Sequence, residues 1–181
     1  NQRIAEEFLH RCDSVSTISE SMRLQYLEAF GVDSFVVRSM PEFQPLSPSK
    51  VASSVVELVH HGIYNSHRGI EDLLVAFSML PTKFRLNLIL FRAPEEKLRS
   101  LARKLKIPDN RLVFHQPVVP STLCSFLNQF DVEIIFIPAN SANHAMGLPN
   151  KLFEAVQARL AVITGPNPEI ATAVRASGIG L

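Results

Sequence analysis

Gly147-Leu148-Pro149-Asn150-Lys151-Leu152-Phe153-Glu154 runs on through Ala155-Val156-Gln157-Ala158-Arg159 into Leu160-Ala161-Val162-Ile163-Thr164. A helical pattern leading straight into a short apolar strand is the repeating step of an α/β sheet. Leu148, Leu152, Phe153 and Val156 share one face at helical spacing, while Asn150, Lys151, Glu154 and Gln157 fall on the other. Pro149 suits the first turn of a helix, where its missing N–H is no loss. Neither Gly147 nor Leu148 can cap that turn with a side-chain acceptor, so its first N–H groups lack an internal partner. Lys151 adds a cation at the end where the helix dipole disfavours one by roughly a few tenths of a kcal/mol. Two readings fit these residues: solvated charges on an ordinary amphipathic helix, or an anion site in which a phosphate uses both the N–H groups and the lysine.

The same alternation extends towards the N-terminus. Apolar runs predict strands at Val55 to His60, Leu86 to Phe91, Leu112 to His115, Val132 to Ile137 and Ala161 to Thr164. Amphipathic stretches predict helices at Gly69 to Leu80, Glu95 to Lys106, Ser121 to Phe130, Leu148 to Ala158 and Asn167 to Ala176. The expected fold is α/β, a Rossmann-like doubly wound, mostly parallel sheet, with ligands at the carboxyl ends of the strands. Before it, helices around Ile4 to His10 and Ser21 to Phe30 alternate with strands Ser14 to Ile18 and Phe35 to Val37. Pro41 to Lys50 carries three prolines and two serines in ten residues, which reads as a connector and places a domain boundary there.

Hydrophobic residues make up 46% of the 181, enough for a sizeable core. A net charge of +1 argues against a nucleic-acid partner, which would call for a clustered basic face. No apolar run approaches the roughly 20 residues that span a bilayer, and no signal-peptide pattern opens the chain, so a cytoplasmic location is expected. Cys12 and Cys124, each inside a predicted helix, suggest neither a disulfide framework nor a metal knuckle. The six histidines show no zinc-ligand spacing, and no metal is expected. The chain begins with Asn1 and stops where another strand would start, so it reads as part of a longer protein with an incomplete last domain. It has no internal repeat or low-complexity tract.

The run Pro149-Asn150-Lys151-Leu152-Phe153-Glu154-Ala155, the strand ending in Thr164-Gly165 and the helix with Pro168-Glu169-Ile170 resemble the nucleotide-sugar site of the group 1, GT-B-fold glycosyltransferases. The resemblance reaches the N-terminal part, where Cys12 to Ser21, the helix ending in Phe30-Gly31-Val32 and Val36 to Glu42 are similar to the end of that family's first domain and its crossing into the second. It implies that residues 1–40 are the tail of an acceptor-side domain, 41–50 a linker, and 51–181 the donor-binding domain. In that family the glutamate matching Glu154 holds the ribose hydroxyls of the donor.

Other motifs lie at the same strand ends. Gly62-Ile63-Tyr64-Asn65-Ser66-His67-Arg68-Gly69 follows the first strand of the main sheet. Gly62 there lets backbone approach a ligand, and Arg68 offers a planar fork to a diphosphate. A plain glycine turn with a solvated arginine is the alternative. This loop resembles the family's glycine loop, with Ile63 where many members have an arginine. Arg92, after Phe91, sits at the same edge and either reaches a phosphate or base or pairs with Glu95 or Glu96. Gln116 to Val118 end the third strand, and the resemblance implies that this turn lines the base pocket. His115 reads as a packing or hydrogen-bonding residue. Met146 stands where many retaining members have a glutamate, and a thioether cannot replace that carboxylate as an acceptor. The resemblance implies that Asn150 and Lys151 take over part of that work, or that transfer activity has been lost. Basic residues from Lys83 to Lys106 read as a solvated face or as a contact with an anionic membrane surface.

The resemblance therefore implies a glycosyltransferase fragment of the hexosyltransferase type that binds a nucleoside diphosphate sugar and serves a glycan or lipid-linked acceptor. Metal-independent transfer with retention is implied, with no cofactor beyond the donor and possible contact with the inner face of a membrane. The expected donor site comprises Gly62, Arg68, Arg92, Gln116, Val118, Asn150, Lys151 and Glu154. No catalytic base is identified, and the fragment alone is expected to be inactive. A GT-B-fold sugar-nucleotide epimerase and a non-catalytic nucleotide-binding module are the alternatives.

Overall fold

The computed structural model describes residues 2–52, 54–65, 69–138 and 141–181. Five parallel strands form the main sheet: β3 (Val56–Ile63), β4 (Phe84–Phe91), β5 (Leu112–His115), β6 (Val132–Ile135) and β7 (Ala161–Thr164). Their order is β5-β4-β3-β6-β7. The chain moves outward from β3 to one side, then returns to lay β6 and β7 on the other. That reversal creates a topological switch point between β3 and β6, where doubly wound sheets bind ligands. Residues 179–181 continue the sheet beyond β7, with Leu181 N donating to the carbonyl of Val162 at 3.0 Å.

Strand β3 extends beyond the apolar run expected to end at His60, because its pairing with β4 continues through Gly62↔Leu90 and Ile63↔Phe91. A buried, doubly covered strand tolerates polar side chains only where they find partners. His60 turns its Nδ1 to the carbonyl of Ile134 at 2.7 Å. Strand β6 stops at Ile135, two residues short of the expected Ile137.

Each face of the sheet carries a core. On one face, Leu58, Leu86 and Leu88 pack against Leu74 and Phe77 of α3 (Ile70–Ser78) and Leu98 of α4 (Glu95–Lys104). On the other, Val59, Ile135 and Val162 meet Leu127 of α5 (Pro120–Leu127), Leu152 and Ala155 of α7 (Asn150–Gln157) and Ile170 of α8 (Pro168–Ser177). Burial of a Leu, Ile or Phe in such a layer contributes about 1.5–3 kcal/mol. Gly69, the N-cap of α3, has φ +69, and a Cβ there would collide with the ring of Phe136. Only glycine lets the loop enter the helix at that point.

The N-terminal segment forms a separate two-stranded parallel ribbon, β1 (Ser16–Thr17) with β2 (Phe35–Val36), joined by α2 (Glu20–Phe30). Gly31, at φ 66, ends α2 in the left-handed conformation. Before β1 come α1 (Gln2–Phe8) and a short 3₁₀ turn, Leu9–Arg11. Cys12 closes that turn and is exposed, so it lies outside the helix expected for it, whereas Cys124 is buried in α5. The segment touches the rim of the main sheet through two serines. Ser19 Oγ accepts from Met22 N and donates to the carbonyl of Met146 at 2.5 Å, and Ser21 Oγ donates to Glu169. Among the described residues, no helix is long and apolar enough to cross a membrane.

Candidate functional site

A cavity of about 540 Å³ opens at the carboxyl ends of β3 and β4, within the size range of small-molecule sites. His61, Gly62 and Phe91 line it from the strands, Val118 from the turn after β5, and Lys151 and Glu154 from α7. A second cavity of about 360 Å³ shares Asn150 and Glu154 with the first and is walled by the 39–44 segment.

The helix α7 begins at Asn150, two residues later than expected. Pro149 is its N-cap rather than part of its first turn, with ψ 150°, and makes no side-chain cap. The first N–H groups thus face the cavity mouth without a capping side chain. The five-residue helix before it, α6 (Ala142–Met146), leads into Gly147, where a Cβ would lie 2.6 Å from the carbonyl oxygen of Asn143.

Lys151 corrects the simplest helical-wheel reading, which put it on a solvated face. It is only 7% exposed, and its Nζ donates to the carbonyl of His61 at 2.7 Å. Gly62, at φ +128, lies beside it: an added Cβ would sit 3.4 Å from Nζ, an ordinary contact, so it is the backbone angle that calls for glycine. A buried lysine and an uncapped helix N-terminus thus lie together at the switch point, two features whose chemistry suits an anion.

Glu154, one turn along α7, is joined to two residues that sequence reasoning missed. His61 Nε2 lies 2.9 Å from Glu154 Oε2, and His61 Nδ1 lies 3.0 Å from Glu133 Oε1. Glu133 is completely buried in β6. An ionised carboxylate can only accept, so both ring nitrogens carry protons and His61 is an imidazolium. Burial alone would push its pKa down, and Lys151 opposes the charge, but the charge and hydrogen bond of Glu133 and the hydrogen bond of Glu154 overcome both and raise it to about 9. His61 is thereby held between two carboxylates, Glu133 and Glu154, with the charge of Lys151 close by. The signal in the sequence was the polarity itself: His60-His61 inside Leu58-Val59-His60-His61-Gly62, and Glu133 inside Val132-Glu133-Ile134-Ile135. Paired polar side chains in strands covered on both faces need partners.

The remaining candidates separate. Val118 lines the cavity, whereas Gln116 is exposed and does not. Asn150 is exposed at the junction of the two cavities. Arg92 sits at the expected edge with φ 60 and stacks on Phe91, its guanidinium 5.2 Å from the ring centroid. Glu95 and Glu96, offered as its salt-bridge partners, pair instead with Arg99 and Arg103. Arg68 lies outside the described residues. His115 does hydrogen-bond: its Nε2 is 2.8 Å from Asn87 Oδ1. Because the Asn87 amide nitrogen donates to Glu57 and Leu58, Oδ1 is the acceptor and His115 donates. Several residues of the basic stretch are paired with carboxylates, Arg85 with Glu57 and Lys97 with Glu71 among them.

No family model matches the chain, and no curated protein does. Solved structures match its fold. Sucrose-phosphate synthase from Thermosynechococcus elongatus superposes with a TM-score of 0.74 at 15% identity, over 99% of this chain and 47% of that one. HepE from Anabaena, in complex with UDP and glucose, gives 0.70 at 13% identity over 94% and 49%. WaaG, a glycosyltransferase involved in lipopolysaccharide biosynthesis, gives 0.67 at 15% identity over 93% and 48%. The chain spans about half the length of these structures.

Proposed function

We propose that this chain, which has the fold of a GT-B glycosyltransferase region, is the donor-binding half of such an enzyme and holds a nucleoside diphosphate sugar in the cavity between β3, β4 and α7. The observation that carries this reading is Lys151, buried under Gly62 at the uncapped start of α7. A lysine and the first N–H groups of a helix, placed at one end, both favour an anion there. The UDP and glucose in the HepE complex support the same class of ligand.

In this reading the diphosphate lies at the start of α7, where Lys151 and the helix N–H groups stabilise the negative charge that grows as the sugar departs. Arg68 and Asn150 contribute further donors on the strength of the sequence resemblance. Glu154 takes the ribose hydroxyls, and the turn at Pro117 and Val118 borders the base. The reaction is hexosyl transfer with retention, independent of a metal, to a glycan or lipid-linked acceptor. Residues 1–40 belong to the acceptor-side domain and 51–181 to the donor-binding one. Groups that contact the attacking hydroxyl lie mainly in the acceptor-side half.

Replacing Glu154 with Ala tests the assignment. Nucleotide binding weakens by about 1–3 kcal/mol, the cost of losing a hydrogen bond to a charged group. Unchanged affinity in a folded variant removes Glu154 from the site.

One observation favours a second reading. Met146 supplies no carboxylate near the sugar, and its carbonyl is occupied by Ser19. A nucleotide-binding module without transferase activity would bind the diphosphate normally and transfer nothing in the full-length protein.

A further inference from the structure

We propose that His61, clamped by Glu133, is a positioning residue for the donor nucleotide: it ties down one oxygen of Glu154 and leaves the other for the ribose hydroxyls. The inference rests on the assignment of this cavity to a nucleoside diphosphate.

The geometry divides the work between atoms. His61 Nε2 binds Glu154 Oε2 at 2.9 Å. Among the described residues, no hydrogen bond reaches Glu154 Oε1, and the Glu154 side chain remains 22% exposed where it lines the cavity. A glutamate on a helix surface has several rotamers, and fixing one in advance removes an ordering cost from binding.

Glu133 has no other visible task. It lies on the face of β6 that otherwise packs into the apolar layer of Val59, Ile135 and Val162. Its Oε1 binds His61, while its Oε2 is buried without a partner among the described residues. Such a carboxylate costs stability relative to an apolar residue. What it supplies is a fixed negative charge that keeps the imidazole doubly protonated and aimed at Glu154.

The charged and titratable groups around this relay are few. Glu133 faces His61 from β6, Glu154 and Lys151 face it from α7, and Cys124 of α5 lies near Glu154. Once His61 loses a proton, one ring nitrogen becomes an acceptor opposite a carboxylate, and the hold on Glu154 is broken. The raised pKa, about 9, keeps the clamp closed at neutral pH.

The test compares, by calorimetry on the full chain, the nucleoside diphosphate that binds with its 2′,3′-dideoxy counterpart. The wild type prefers the ribonucleotide, and Glu154→Ala removes that preference. His61→Gln lowers it about tenfold, the size of one charged hydrogen bond, while affinity for the dideoxy compound barely changes. Glu133→Gln keeps the preference near pH 6 but loses it at a lower pH than the wild type, a shift that a merely structural ion pair would not produce. If His61→Gln does not fold, this pH profile of the near-isosteric Glu133→Gln decides alone. Full preference in His61→Gln and an unshifted profile in Glu133→Gln, with Glu154→Ala still losing it, would overturn the inference and leave the site assignment standing. A wild type that binds no diphosphate, or a Glu154→Ala variant that keeps the preference, overturns the assignment and the inference together.

Discussion

Lys151 Nζ donates to the backbone carbonyl of His61 at 2.7 Å, directly beneath Gly62. That bond ties the first turn of α7 to the carboxyl end of β3 and holds a cation inside the cavity wall.

Lys151→Met retains the aliphatic stem and removes the charge. Diphosphate affinity falls by tenfold or more, since a charge-assisted contact is worth about 1.5–3 kcal/mol, while nucleoside affinity is unchanged. Calorimetry with the matched nucleoside and diphosphate checks it. Equal losses for both ligands would show that the lysine supports the fold and does not touch phosphate.

Gly62→Ala destabilises the protein more than Gly31→Ala. Both glycines have positive φ, but Gly62 at +128 lies outside the left-handed well that an L residue can enter, whereas Gly31 at +66 lies within it and, among the described residues, has nothing within 4 Å of an added Cβ. Urea titration should place the Gly31 variant near the roughly 1 kcal/mol expected for a left-handed alanine, with the Gly62 variant beyond it. The reverse order contradicts the backbone strain assigned to Gly62.

Stability falls as the solution becomes alkaline. His61 has a folded pKa of about 9 against an ordinary 6.5, so its contribution is fully present below 6.5 and is lost as pH rises through 9. Linkage puts the loss on the order of 3 kcal/mol. Urea midpoints at pH 6, 7.5 and 9 measure it, and Glu133→Gln flattens the slope. A stability that is level over this range would mean that His61 is neutral.

Arg111→Lys does not rescue Arg111→Ala. Its guanidinium lies 4.7 Å from the centroid of the Phe77 ring and donates to the carbonyls of Leu80, Pro81 and Phe84. A lysine cannot reproduce that planar fork, so both variants lose about 2–4 kcal/mol in thermal or urea unfolding. Full stability in the lysine variant would show that charge alone suffices.

The sheet was legible because its strands are short apolar runs separated by amphipathic helices, and Leu112 to His115 and Ala161 to Thr164 fall where the pattern ends them. Boundaries moved where pairing or capping overrode local pattern, as at Ile63 and Pro149. The site was legible only on one side. Lys151 and Glu154 belong to a contiguous motif, but periodicity left Lys151 open between a solvated face and an anion site, because a cavity wall and a solvated face look alike along one helix. Glu133 and His61 are 72 positions apart, and no spacing rule joins them. Only the juxtaposition of β3 and β6 brings a buried glutamate to a buried histidine.

Titration of the chain by calorimetry with UDP, GDP, ADP and CDP, alongside circular dichroism to verify folding, tests the donor-half assignment most directly. The account predicts selective binding of one diphosphate, lost in Lys151→Met. A folded sample that takes up none of the four would contradict it.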